Sequence, residues 1–159
     1  MRRKPTVCFS VALANVLATS AADPAPRVDK VVVEKTRRRL VLLDNRRIVR
    51  SYRISLGGNP AGPKERRSDR RTPEGSYVVA GRNPKSPNHL ALRLARQSPS
   101  SPEHAGGGLQ LHGTPDWLGP LAAALKGSDW TTGGIAVANA DIEEIWNLVP
   151  DGTPVVIRP

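Results

Sequence analysis

Three imidazoles, one thiol and a short run of hydroxyls and glycines stand out as the side chains that could move protons or attack a carbonyl. The histidines are His89, His104 and His112, and the thiol is Cys8. His112 ends the run GLQLH (108–112), in which Leu109 and Leu111 share one face and Gln110 and His112 the other, and Gly113 follows it. An imidazole there could serve as general base to a hydroxyl or thiol within hydrogen-bond reach, or it could serve the structure at a strand end. Further along, DWTTGGIAVAN (129–139) carries the hydroxyls of Thr131 and Thr132 and the pair Gly133 and Gly134, with Ser128 just before it. Trp117 and Trp130 flank these residues as walls of a groove or as core. With one cysteine and three scattered histidines, neither a disulfide nor a zinc-thiolate site can be built, and no metal or cofactor is expected.

The thiol itself belongs to a different part of the chain. Arg2, Arg3 and Lys4 precede an apolar run (7–18), and small residues follow it (19–22), which is the layout of a secretory signal. The run is about twelve residues long, below the roughly 20 that span a bilayer. Cleavage after Ala22 is expected, with an uncleaved N-terminal anchor as the alternative, and the protein is expected in the periplasm or at the cell wall. Cys8 would leave with the signal. Residues 23–27 then read as a linker and 28–159 as one domain. Loss of residues 1–22 removes three basic and no acidic residues, so the formal charge falls from +10 to +7.

Several short elements must position the candidate residues. Segments 28–34, 40–44, 48–56, 76–80, 90–95, 108–112, 135–138 and 154–158 read as strands. Within 48–56, Ile48, Tyr52, Ile54 and Leu56 are expected on one face, with Ser51, Arg53 and Ser55 on the other. The clearest helix is 140–149, from the spacing of Ile142, Ile145, Trp146 and Val149, with Asn139 as its expected N-cap. A shorter helix is expected at 121–126, and 57–71 and 97–107 read as loops. Eight short strands without strand-helix alternation indicate a mainly β sandwich or barrel with one or two short helices.

The segments SDRRTPEG (68–75), LQLHGTP (109–115), DWTTGGIAVAN (129–139), DIEEIW (141–146) and GTPVVI (152–157) resemble, in order and spacing, the L,D-transpeptidase (YkuD-type) catalytic domain, over 28–158. The resemblance implies an exported domain that joins peptidoglycan stem peptides through a cysteine thiolate, in cell-wall biogenesis. It further implies that His112, with Gly113, is the general base, and that Thr131 and Gly133 belong to the Ser/Thr-x-Gly-Cys motif whose amides help hold an oxyanion. Gly134 then stands where that family has its nucleophile. Loss of a nucleophile costs on the order of 10⁶ in turnover in a well-studied protease series. Asp69 matches the family's usual Asp, as an ordering or turn-forming residue, although Ser68 replaces the preceding Gly. The segment 90–99 follows the family only loosely, with His89 where an aromatic is usual. Thr131, Trp130, Trp117 and Asp69 are the expected substrate-binding residues.

Three functional expectations follow. The first is a pseudoenzyme that keeps a groove for peptidoglycan stem peptides. The second is an active transpeptidase, through a substitute hydroxyl or because the natural protein carries Cys at position 134. The third is a module whose Arg clusters (37–39, 46–47 and 64–71) dock on an anionic cell-wall polymer or membrane surface. No nucleic-acid partner is expected, since only three Trp, two Tyr and one Phe could stack on bases.

Overall fold

Strand formation begins where apolar residues alternate. In β1 (Lys30–Glu34) Val31 and Val33 point into the core, and in β2 (Arg39–Asp44) Leu40 and Leu42 do the same. A computed structural model of the chain describes residues 26–97 and 108–159. The expected signal segment, residues 23–25 of the linker and His104 lie outside the described residues.

The remaining strands are β3 (Arg47–Arg53), β4 (Gly75–Ser86), β5 (His89–Arg96), β6 (Leu109–His112), β7 (Ile135–Ala136) and β8 (Pro154–Arg158), and among the described residues the α-helix is α1 (Asn139–Leu148). They form a single mainly β sheet in the order β3-β2-β1-β8-β4-β5-β6-β7. The chain just past β3 then reaches round to the far edge. Ser55 exchanges two backbone hydrogen bonds with Ala136 of β7, at 2.8 and 2.9 Å, and Thr131 is tied to Leu56 and Gly58. The sheet is thereby curled toward barrel closure, as the strand count predicts. Ile142 and Ile145 of α1 pack into the same core as Ile54, Leu56, Leu92 and Ile135.

Four local readings change. The β2–β3 register skips between Leu42–Arg50 and Leu43–Ile48, so Val49 is an extra residue. That bulge turns Ile48 outward, where it is 61% exposed, while Val49 packs against the core. Strand β4 runs to Ser86 rather than ending near Ala80, because register shifts between Val79 and Gly81 and between Asn83 and Ser86 carry its pairing with β5 past Gly81 and Pro84. The helix is capped by Ala138, not Asn139, whose side chain is engaged elsewhere. The short helix expected at 121–126 is a 3₁₀ segment, Asp116–Leu125, kinked at Gly119, and none of its residues is buried.

Candidate functional site

His112 sits at the end of β6, paired with Ala91 of β5 on one side and Ala136 of β7 on the other. Its ring is 5% exposed. Nδ1 lies 2.7 Å from the carbonyl oxygen of Gly113. A carbonyl only accepts, so Nδ1 carries the proton and Nε2 presents its lone pair. Burial pushes the imidazole below its ordinary pKa, and the Gly113 hydrogen bond offsets this only in part, so the ring is neutral near pH 7.

Gly113 is required by crowding. A Cβ there would lie 2.5 Å from Asn139 Oδ1 and 3.0 Å from the Asn88 carbonyl oxygen. That same Asn139 oxygen accepts from the backbone and hydroxyl of Thr114, at 2.7 and 3.0 Å, which fixes the turn after His112.

Opposite the ring lies the 131–134 turn. A Cβ built on Gly134 would be 2.8 Å from His112 Nε2 and 3.1 Å from Cδ2. A side chain at position 134 would therefore leave the backbone directly toward the free lone pair. The turn is stapled by Thr131, whose buried hydroxyl donates to the Gly134 carbonyl at 2.8 Å and accepts from the Gly133 amide at 3.1 Å. Among the motif amides that the family resemblance makes candidates to hold an oxyanion, that of Gly133 thus points into its own turn. Gly133 has φ +129, and a Cβ on it would approach the Arg71 carbonyl oxygen to 2.9 Å.

Arg71 belongs to a loop ordered by Asp69. Its carboxylate accepts from the amides of Glu65, Arg66 and Arg71, at 2.7 to 2.9 Å, and from Lys64 Nζ at 2.8 Å. Burial raises this carboxyl's pKa, but the hydrogen bonds, led by the Arg66 amide, outweigh it and hold the group well below the usual carboxylate range. Thr72 then bridges the Gly57 amide and the Gly134 carbonyl. Asp69 therefore acts on the site through the loop that backs the 131–134 turn.

Trp130 meets His112 edge-on, with centroids 5.9 Å apart at 77°, and its buried Nε1 has no partner among the described residues. Its position is set by Asp129, which takes Arg38 Nε and Nη2 in a fork at 2.9 and 2.6 Å and accepts the Leu56 amide. Trp117 is not brought to the site: it is 81% exposed on the 116–125 segment. Behind that segment is a cavity of about 350 Å³ lined by Ala122, Ala123, Leu125, Ala136 and Val137, among others, with Arg53 and Lys126 contributing charge. His112 and Gly134 do not line it. Among the described residues no group of three His, Cys, Asp or Glu side chains could hold a metal.

The residues that sequence reading passed over are Asn139, Thr114, Thr72, Lys64 and the Arg38–Asp129 fork. Asn139 gave a signal that was read as a cap. Arg38 and Lys64 were read only as members of basic clusters, and Thr114, Thr72 and Asp129 gave no signal of these roles, which come from contacts between distant segments.

The L,D-transpeptidase catalytic domain family matches residues 29–157. The chain belongs to that family. Among solved structures, it resembles an L,D-transpeptidase from Mycobacterium smegmatis at 15% identity and TM-score 0.58, over 82% of this chain and 58% of that one. A Bdellovibrio bacteriovorus protein matches at 23% identity and TM-score 0.59, over 83% and 48%. An L,D-transpeptidase from Xylanimonas cellulosilytica matches at 18% and TM-score 0.56, over 84% and 62%. At these identities the likeness is one of fold, and this chain spans about half to three-fifths of their lengths. No curated protein matches the sequence significantly. The family acts in general on peptidoglycan stem peptides.

Proposed function

We propose that this chain is an exported, peptidoglycan-binding L,D-transpeptidase relative that does not carry out cysteine acyl transfer. One observation carries the reading: the Cβ direction at Gly134 ends 2.8 Å from the lone-pair nitrogen of His112, and glycine puts no nucleophile there. The base is retained and its partner is missing. As a general base, the imidazole needs a thiol or hydroxyl to activate.

Neighbouring hydroxyls are poor substitutes. Thr131 Oγ1 is committed to Gly134 and Gly133 inside the turn, and Ser128 Oγ donates to the Leu125 carbonyl at 2.8 Å. Ion pairing also weakens the purely electrostatic reading of the Arg clusters. Arg37, Arg39 and Arg158 converge on Glu34, Arg38 is forked to Asp129, and Arg71 meets Glu65. What is left is His112 and the 131–134 turn facing each other, with Trp130 beside the ring.

The test is sedimentation of the purified chain with peptidoglycan sacculi, beside titration with a stem tetrapeptide. The expected result is cosedimentation that weakens in Trp130→Ala, with no crosslinked product formed. A chain that stays in the supernatant and ignores the tetrapeptide would sink the proposal, and crosslinking by the unmodified chain would show a working nucleophile.

A further inference from the structure

His89 opens β5 just past the β4–β5 turn at φ +69, and both of its ring nitrogens face carboxylates. Nδ1 lies 2.9 Å from Asp116 Oδ1 and Nε2 lies 2.7 Å from Glu143 Oε1. An ionised carboxylate only accepts, and a neutral imidazole has a single N–H, so two such contacts at once require the doubly protonated ring. The three groups come from three elements: the hairpin, the start of the 116–125 segment, and α1.

The segment has little else to hold it. None of its residues is buried. Besides His89, its ties among the described residues include Asn139 Nδ2 to Asp116 at 3.0 Å, Ser55 Oγ, which donates to the Leu125 carbonyl and accepts the Gly127 amide, Ser128, which also bonds the Leu125 carbonyl, and a loose 3.8 Å ion pair of the next residue, Lys126, with Asp141 of α1. It nevertheless forms one wall of the 350 Å³ cavity, through Gly119, Ala122, Ala123 and Leu125, against Ala136 and Val137.

We propose that His89 is a proton-operated latch, which when protonated holds the 116–125 segment closed over this cavity and releases it on losing the proton. Asp116 from the segment and Glu143 from α1 are the charged groups that act on the ring. Desolvation lowers its pKa, but the two carboxylates outweigh this and raise it above the ordinary histidine value. The sign follows: the hold is complete below about pH 6.5 and is lost as pH rises through the higher, closed-state value. Asp116 is also joined through Asn139 to Thr114, next to the His112–Gly113 turn, so release frees a neighbour of the candidate site. The latch operates whether or not any acyl transfer survives.

The experiment is NMR on the full ¹⁵N-labelled chain, with ring titration of His89 and hydrogen exchange at Leu118, Lys126 and Gly127, whose amides donate to Pro115, Ala123 and Ser55. After correction for intrinsic exchange, protection should fall by roughly tenfold for each unit by which the closed-state pKa exceeds the open one. Thr131, bonded to Leu56, should keep its protection. His89→Gln, which retains one donor and no charge, should show the loosened level at every pH. Glu143→Gln, at an exposed position, should lower the His89 pKa in a folded chain. A His89 that titrates at or below 6.5, or a His89→Gln segment with the parent's pH dependence, overturns the latch.

Discussion

Putting the thiol back is the most informative perturbation, and the structure sets its size. In Gly134→Cys the new Cβ begins 2.8 Å from His112 Nε2, whereas ordinary contact starts near 3.4 Å, so the ring must retreat by about 0.6 Å. It is held on two sides, by the 2.7 Å bond to Gly113 and by the edge of Trp130. Overpacking of this kind costs about 1–3 kcal/mol, equivalent to a fall in Tm of roughly 3–12 °C for a domain of this size. In exchange, the sulfur lands within reach of the imidazole. The thiol pKa should drop from about 8.5 toward the ~3.5–7.5 seen for paired cysteines. The assay is the pH dependence of alkylation by iodoacetamide, with intact-mass detection of an imipenem adduct, in a Cys8→Ser background. Imipenem suits the purpose because a matched L,D-transpeptidase was solved in complex with it. A folded variant whose thiol titrates near ~8.5 and takes no imipenem would refute the assignment of Gly134 to the nucleophile's seat.

Three further outcomes are expected. Gly57→Ala should lose about 3 kcal/mol or more, or fail to fold, because its Cβ would lie 1.9 Å from the Arg70 carbonyl oxygen, and backbone cannot yield as a side chain can; urea unfolding measures this. Asp69→Asn should lower Tm by several degrees at neutral pH, since four donors lose a full charge. Its folded-state pKa is depressed, so the difference from the parent should hold down to about pH 4 and shrink below it. His112 is also depressed, so its contribution is complete above about pH 6.5 and is lost as pH falls through the lower folded value. Thermal scans should show a smaller acid-side loss in His112→Gln than in the parent, compared in a His89→Gln background because His89 contributes with the opposite sign.

The mainly β architecture, the strand count and the α1 helix were legible in the sequence because alternation and i, i+3, i+4 spacing are local signals. Ile48 was misplaced because a bulge is a relation between two strands, and a sequence shows only one of them. The long β4 was hidden for a related reason: Gly81 and Pro84 are poor strand residues, and only the pairing with β5 shows that register shifts beside them let the strand continue. At the site, motif order pointed to His112, Gly113 and the 131–134 turn, and the structure brings them together. Thr131 illustrates the limit. Its residue type suggested a ligand contact, yet its hydroxyl is spent inside the turn. Trp117 and Trp130 could not be told apart by composition, since only the Arg38–Asp129 fork and the exposed 116–125 segment separate one ring from the other.

The tie between residues 55–58 and residues 131–136 has a consequence for how such a chain changes over time. The backbone that carries position 134 pairs with the 55–58 segment and so covers the otherwise open edge of β7, the kind of edge that invites pairing with another molecule. Selection for solubility therefore guards this turn independently of selection for turnover. A lineage that abandoned the chemistry could discard one sulfur atom freely, but not the threonine and glycines around it. The outline of an active centre can then persist as a scar of sheet closure, and a nucleophile regained by a single codon change would find its surroundings still standing.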